Sequence, residues 1–327
     1  LAACGDRTGT YTLGTSEQEQ GYRDLGKALD SELRRRGKVM LKTIETNGSL
    51  DNVKRLKNGE LDFALVQGGF EFDDTGLRML AAVDTEHLHI LVPVSSDIND
   101  LSDLAGKRIA AGIAGTGSRR LTESIVEAAS YDPPVELIAT TRETVASELN
   151  SGEVDAAMFV SDLRRELKPL LADGQLRLVG VRSAIALSQL LFDVDATEIP
   201  SGIYGRNLSL PDTALPTLSV QTNLVVRADV PNNIVKQVIE ALYNFRVRHD
   251  AWLPDLTEES GRNSPDLMLH PAAEAYYRRN DPLTSDQFEI AAFFLAALIA
   301  LVSAARVFCR WYRIRITNDK RTNSESD

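Results

Sequence analysis

Short apolar runs alternate along most of the chain with segments in which apolar residues recur every three to four positions. Residues 21–36, for example, place Tyr22, Leu25, Leu29 and Leu33 on one face of a helix. We predict strands at residues 11–15, 39–45, 63–67, 87–94, 108–112, 135–139, 156–160 and 218–226, and helices at 21–36, 49–57, 118–129, 142–150 and 233–248. This alternation indicates an α/β fold with a largely parallel sheet.

Two segments repeat one design. "NGELDFALV" (residues 58–66) and "SGEVDAAMF" (residues 151–159) each combine a glycine, an acidic pair and an apolar strand. We predict that a helix ends at Gly59 and another at Gly152, because glycine adopts the left-handed conformation without steric cost. The echo favours two similar lobes, although a glycine followed by an acid is also a common turn between a helix and a strand.

The pattern divides the chain into successive parts. Residues 7–93 form the first part of lobe 1, residues 94–204 form lobe 2, and residues 205–282 return to lobe 1. The chain then crosses between the lobes near residues 92–95 and between residues 205 and 222, which predicts a hinge. A cleft between two hinged lobes is the default place for a small ligand.

The start of the chain carries the sequence Leu-Ala-Ala-Cys-Gly, with Cys4 as its only cysteine before Cys309. This is typical of a bacterial lipobox, in which a signal peptide is cleaved before the cysteine and the thiol is lipidated. We therefore interpret residues 1–6 as a lipobox remnant and linker. The alternative is a chance match in an alanine-rich segment.

The other end holds an uncharged run, "IAAFFLAALIALVSAA", at residues 290–305. We predict a transmembrane helix at residues 288–308, close to the roughly 20 residues that a bilayer requires. The tail at residues 309–327 carries Arg310, Arg313 and Arg315, which are typical of the cytoplasmic side. From Arg306 onward the chain has a net charge of +3 and the remainder has −14, within a total of −11. The prediction is a bacterial inner-membrane protein whose acidic body faces the periplasm and binds no nucleic acid.

The segment "GIAGTGSR" (residues 112–119) stands between a predicted strand and a predicted helix. It lacks the lysine and Mg²⁺-binding hydroxyl of a nucleotide-binding P-loop. Gly115 and Gly117 expose backbone N–H groups at the positive end of a helix, Ser118 is predicted to cap it, and Arg119 or Arg120 adds charge. We predict an anion cradle here. A tight capped turn without a ligand is the alternative.

A second helix start, "TNGSLDN" (residues 46–52), turns at Gly48 and is predicted to be capped by Ser49. One such start in each lobe predicts that the two face each other across the cleft.

The remaining candidates for chemistry are weaker. His87 and His89 share a strand face and suit a metal site or a core, and Glu17 and Glu19 suit acid–base work or a solvated loop. We predict no enzyme activity and no cofactor.

The chain resembles the TAXI group, the TRAP-associated extracytoplasmic immunogenic solute-binding proteins. The resemblance rests on "TNGSLDNVKRLKNGELDFALVQ", "DLSDLAGKRIAAGIAGTGSRRLTESIVEAA", "LNSGEVDAAMFV", "IPSGIY" and "HPAAEAYYRR", and it covers most of residues 11–279. The segment after His270, with the apolar run and arginine-rich tail, resembles the membrane-anchored branch. The chain differs from the group before its first helix, where residues 16–20 replace a glycine-rich turn. The carboxylates of Glu17 and Glu19 in this turn allow an amine-bearing or cationic ligand.

This resemblance implies a two-lobed, type II periplasmic-binding-protein-like fold that captures a small organic anion, such as a dicarboxylate or a glutamate-like molecule, for a TRAP-type transporter. A membrane-tethered sensor, whose closure signals to a partner protein, is the alternative. The implied ligand-binding residues are Gly48, Ser49, Asn52 and Gln67 in lobe 1, and Gly115, Thr116, Gly117, Ser118 and Tyr204 in lobe 2; Arg119 is added from the cradle argument.

Overall fold

A computed structural model describes residues 9–16, 20–37, 39–69, 76–163, 167–205, 209–262, 267–282 and 285–324. The chain forms two compact units, Leu1–Tyr277 and Arg278–Asp327. Cys4, Glu17 and Glu19 lie outside the described residues. The first unit holds the candidate site, and the second contains one long helix.

The strands are β1 (Gly9–Gly14), β2 (Val39–Ile44), β3 (Phe63–Gln67), β4 (Leu77–Pro93), β5 (Arg108–Ala110), β6 (Glu136–Ile138), β7 (Ala156–Ser161), β8 (Leu176–Val179), β9 (Asp195–Ile199) and β10 (Leu215–Arg227). The helices are α1 (Gln20–Arg36), α2 (Ser49–Lys57), α3 (Gly117–Ala129), α4 (Val145–Ser151), α5 (Ala184–Leu190), α6 (Asn232–Leu242), α7 (Phe245–Asp250), α8 (Glu258–Gly261), α9 (Pro271–Tyr277) and α10 (Ser285–Ser324). Every predicted strand and helix coincides with an observed element, although the predicted helix at residues 233–248 is two helices. The break falls where Asn244 caps α7, because its side chain accepts a hydrogen bond from the N–H of Arg246 at 2.9 Å.

The ten strands form one sheet whose main order is β2-β1-β3-β10-β4-β7-β5-β6, with β8 beside β4 and β9 beside β10. The two ends of the sheet have the same arrangement. At one end the parallel strands β2-β1-β3 are followed by the antiparallel strand β10, and at the other end the parallel strands β6-β5-β7 are followed by the antiparallel strand β4. Gly59 and Gly152 follow α2 and α4 with φ of 74° and 76°, as predicted. The sequence echo therefore corresponds to two equivalent halves of one sheet.

The prediction of a largely parallel sheet is wrong for its centre. β10 runs antiparallel to both β3 and β4, and β4 runs antiparallel to β7. The sequence reading missed residues 77–86 of β4, where Asp84 and Glu86 interrupt the apolar pattern. Both charged residues lie in the strand because β4 continues through the polar boundary between the two halves.

Apolar residues form separate cores on the two sides of this boundary. The face of α1 that carries Tyr22, Leu25, Leu29 and Leu33 packs with α6 and α9 on the first half of the sheet, as the helical period predicts. α3 and α5 pack on the second half around Leu88, Ile90 and Val92 of β4, among others. Between them lies a band of buried polar side chains that includes Gln67, Glu86, Thr116 and Ser118.

The second unit contains the long helix α10. Its stretch Ala292–Arg310 is long and apolar enough to cross a membrane, and all its side chains are exposed. Cys309 lies in this stretch as a free thiol. The helix contains the segment for which the sequence predicts a membrane span, and the span itself remains a prediction.

Candidate functional site

The start of α2 is built around Gly48. Its φ of 104° is strained for any other residue, and it occupies the N-cap position without a side-chain cap. Ser49 is therefore not the cap that the sequence predicted. Its buried hydroxyl instead accepts a hydrogen bond from the N–H of Gln67 at 3.0 Å, which joins the start of α2 to the end of β3.

The start of α3 also differs from the prediction, because the residue that caps the helix is not Ser118. Thr116 is the N-cap, since its hydroxyl accepts from the N–H of Arg119 at 3.3 Å, and α3 begins at Gly117 rather than Ser118. The Ser118 hydroxyl, predicted to cap the helix, accepts from the N–H of Val160 at 2.9 Å. It therefore fixes α3 against β7, the neighbouring strand.

The two helix starts meet directly, as the sequence predicts. The N–H of Leu50 in the first turn of α2 donates to the carbonyl of Gly115 at 3.3 Å. A Cβ on Gly48 would lie 3.4 Å from the same carbonyl oxygen and 3.4 Å from the Cα of Thr116. The backbones approach this closely because glycines stand on both sides of the contact.

Gln67 lies between the two helix starts and is almost fully buried. Its carboxamide oxygen is packed so closely against Gly117 that any side chain at that position would overlap it. Its amide nitrogen donates to Oε2 of Glu86 at 2.8 Å. The place where the sequence predicts an anion is thus occupied by the protein's own carboxamide in this conformation.

The structure does not bring three of the predicted ligand-binding side chains, those of Asn52, Arg119 and Tyr204, to this contact. Asn52 is fully buried and donates to the carbonyls of Thr15 (2.9 Å) and Leu65 (2.8 Å), so it bridges β1 and β3. Arg119 turns along its own helix, where Nε donates to Glu123 at 2.6 Å. Arg120 is the arginine that reaches the first half, since its guanidinium lies against Gly69.

Arg142 supplies the cationic group that the sequence reading missed. It lines a small hollow of about 20 Å³ beside the start of α3, together with Thr116, Ser118 and Phe159, among others. Its Nη2 donates to the carbonyl of Val160 at 2.8 Å, and its guanidinium lies 6.0 Å from the centre of the Phe159 ring. Nothing in the sequence around Arg142 indicates that its side chain lies near the glycine-rich turn, because it is a single arginine in a predicted helix.

Tyr204, predicted to form a wall of the pocket, is a core residue. Its hydroxyl lies 2.5 Å from Nε2 of His89, and burial raises its pKa. His89 is fully buried, and burial lowers its pKa to about 3, so the imidazole is neutral at physiological pH. Among the residues that the structure describes, no group of three or more His, Cys, Asp and Glu side chains could hold a metal ion. The pairing of His87 and His89 thus finds no third ligand there.

A larger hollow of about 420 Å³ lies at the boundary between the halves, beside the central strands β4 and β10. Both halves contribute to it, and it combines polar groups with an apolar wall. Its lining residues are Ala82, Val83, Asp84, Thr85, His87, Leu163, Ile203, Gln221, Leu253, Asp255, Leu256 and Ser260. Sequence reasoning missed Asp84 and Gln221 because neither belongs to a recognisable motif.

This architecture, in which two equivalent α/β halves share antiparallel central strands and polar groups line their boundary, is of the type II periplasmic-binding-protein-like class. A family model matches residues 22–280, and the chain belongs to the NMT1-like family. The fold agrees with that of XAC2383 from Xanthomonas citri bound to a chloride ion, at 11% identity and a TM-score of 0.52, over 83% of this chain and 95% of that one.

Two further solved structures are similar at lower scores. A putative L-cystine ABC transporter protein from Listeria monocytogenes matches at 17% identity and a TM-score of 0.47, over 76% of this chain and 98% of that one. The reduced form of the OxyR regulatory domain from Pseudomonas aeruginosa matches at 16% identity and a TM-score of 0.43, over 71% of this chain and 96% of that one.

Proposed function

We propose that the protein is a membrane-tethered, extracytoplasmic solute-binding protein of the TAXI group, and that it captures a small carboxylate-bearing solute between its two halves. The observation that carries the proposal is the meeting of two glycine-containing helix starts, those of α2 and α3, within a buried polar band beside Arg142. Helix starts present N–H groups and a positive dipole end, and an arginine adds a bidentate donor. A carboxylate is the group that such donors recognise.

The remaining features of the proposal come from the resemblance to the TAXI group. The solute is a dicarboxylate or a glutamate-like molecule, and the partner is a TRAP-type transporter in the inner membrane. Ser49, Thr116 and Ser118 support the two helix starts through their buried hydroxyl groups. The protein makes no covalent change to the solute and needs no cofactor.

A second function is favoured by α10, whose apolar stretch follows the binding unit directly. A receptor tethered by such a helix signals closure to a partner protein instead of delivering solute. A transporter that copurifies with the protein supports the first function, whereas a copurifying kinase or cyclase supports the second.

A thermal-shift screen of the full-length protein in detergent tests solute binding directly. Succinate, L-glutamate and L-glutamine are the first probes, and a solute at 100 times its Kd adds about 2.7 kcal/mol of stability. We expect Arg142→Ala to abolish the shift and Arg119→Ala to retain it, because only Arg142 lines the hollow beside α3. A shift that is lost in Arg119→Ala and kept in Arg142→Ala contradicts the proposed geometry.

The membrane location has its own test. We expect a Cys4→Ser variant to stay in the inner-membrane fraction, because α10 anchors the chain without a lipid, and we expect external protease to digest the body in spheroplasts. Recovery of this variant in the soluble periplasm, or a protected body, contradicts the proposed topology.

A further inference from the structure

Gln67 lies between the starts of α2 and α3, whose meeting carries the proposed function. We infer that its carboxamide is an internal substitute for the solute's polar head, which holds the two halves closed until a solute displaces it. The inference rests on the proposed function only for the identity of the displacing molecule. The contact itself is made by Gln67, Gly117 and Glu86 of this chain.

The surroundings of Gln67 fix the orientation of its carboxamide. A carboxylate accepts hydrogen bonds and donates none, so the group that faces Glu86 at 2.8 Å is the NH₂. The oxygen then points at Gly117, the first residue of α3, where the helix dipole is positive. The backbone N–H of Gln67 is meanwhile held by Ser49 at 3.0 Å, so both ends of the residue are anchored.

Two other contacts join the two halves across the same boundary. The N–H of Leu50 donates to the carbonyl of Gly115 at 3.3 Å, and the N–H of Gly69 donates to Oδ2 of Asp193 at 2.9 Å. Leu50 and Gly69 belong to the first half of the sheet, and their partners belong to the second. Each contact satisfies a backbone group that opening would return to water.

The geometry also restricts the solute. A group that replaces the carboxamide must place negative charge beside the first residue of α3, where the helix dipole is positive, and a hydrogen-bond donor beside Glu86. An α-amino acid meets both requirements, since its carboxylate accepts and its ammonium group donates. A plain dicarboxylate turns a second oxygen towards the Glu86 carboxylate, where like charges repel. The inferred solute is therefore an amino acid or a carboxamide rather than a dicarboxylate.

The decisive experiment measures closure without any solute. In the full-length protein, hydrogen exchange of the peptide that contains Leu50 reports the bond to Gly115. We expect Gln67→Ala and Gln67→Met to speed this exchange by at least about threefold, the effect of losing roughly one hydrogen bond, with no change in Gln237→Ala. Gln237 is a matched control because its exposed amide bonds only within α6. Unchanged exchange in both Gln67 variants overturns the inference.

A disulfide trap provides a second measurement. A Cβ on Gly115 would lie 3.9 Å from the Cβ of Leu50, within the range that a disulfide spans; because the φ of 90° at Gly115 strains any other residue, only proteins that share the Gly115→Cys change are compared. In a background with Cys4→Ser and Cys309→Ser, Leu50→Cys with Gly115→Cys should cross-link without solute, and adding Gln67→Ala should slow cross-linking by at least about threefold. Equal rates with and without Gln67 overturn the inference.

The binding measurement separates this inference from the proposed function. We expect L-glutamine and L-glutamate to bind Gln67→Ala at least about threefold more tightly than the wild type, because the competitor is gone, and succinate to bind neither protein measurably. Weaker binding by Gln67→Ala overturns the internal-substitute inference and leaves the proposed function in place. Failure of every probe to bind either protein, with faster exchange in Gln67→Ala, overturns the proposed function and leaves the closed contact in place.

Discussion

Replacement of Asn52 by alanine tests whether this residue is structural or ligand-binding. The β1–β3 ladder ends at the pair Gly14 and Ala64, and the Asn52 side chain continues it by donating to the carbonyls of Thr15 and Leu65. We expect Asn52→Ala to destabilise the protein strongly, because the loss occurs in a fully buried position.

The magnitude follows from the two bonds. The Thr46 hydroxyl lies 2.6 Å from the Thr15 carbonyl and 2.9 Å from Oδ1 of Asn52, so in Asn52→Ala its one proton is available to Thr15 and that carbonyl remains satisfied. Loss of a buried hydrogen bond costs about 1 kcal/mol, and a carbonyl such as that of Leu65 left without this donor costs a further 1–3 kcal/mol. The sum, about 3 kcal/mol, corresponds to a fall in Tm of roughly 6–12 °C for a body of this size.

Urea denaturation and thermal melting of the full-length protein measure the effect. Asn58→Ala is the matched control, because Asn58 follows the same helix, is exposed, and bonds only weakly to Glu60 at 3.2 Å. Surface changes of this kind stay within about 0.5 kcal/mol. A loss below about 1 kcal/mol in Asn52→Ala, combined with weaker solute binding, refutes the structural assignment and restores the ligand-binding one.

Two more predictions concern buried titratable groups. Hydrogen bonds from Arg35, opposed in part by burial, lower the pKa of Glu32 to about 2, so Glu32→Gln should cost about 1–2 kcal/mol at pH 7. A carboxyl whose pKa falls on folding contributes its full stabilisation above its unfolded pKa. The difference in unfolding free energy between the wild type and Glu32→Gln should therefore vanish in urea titrations as the pH drops from about 4.5 towards 2. The exposed pair at Glu123 serves as control, and a pH-independent difference contradicts the assignment. Tyr204→Phe should cost about 1–3 kcal/mol in the same assay, because it removes the hydroxyl beside His89 from a buried site, and an unchanged stability with altered solute affinity contradicts its core role.

Local patterns predicted the elements of the fold well, and the reasons are physical. The apolar face of α1 has a helical period, and Gly59 and Gly152 take left-handed conformations that few other residues tolerate. These signals lie within a few residues of each other in sequence. The antiparallel centre of the sheet depends instead on contacts between β4 and β10, which are more than 120 residues apart in the chain and leave no local pattern.

In the candidate site, too, the features with a local sequence signal were predictable and those that depend on distant contacts were not. The meeting of the α2 and α3 starts was predicted from two glycine-containing turns, because glycine permits close backbone approach. The use of each side chain was not predictable. Ser49, Ser118 and Asn52 satisfy backbone groups of neighbouring strands, and Arg142 comes to the site from a separate helix start. Such assignments require knowledge of which strand lies next to which helix.

The two central strands determine how the halves can move. β4 and β10 are 17 and 13 residues long, pair along most of their length, and carry irregularities at Thr222/Asn223 and Leu224/Val225. β4 and β10 are also paired to β7 and β3, so stretching or shear along them breaks several hydrogen bonds at once, whereas twisting and bending are easiest where the ladder is irregular. For the proposed opening of the cleft we therefore expect a rotation about an axis near Asn223. The angle between the halves is then the quantity through which the proposed sensor reports solute binding.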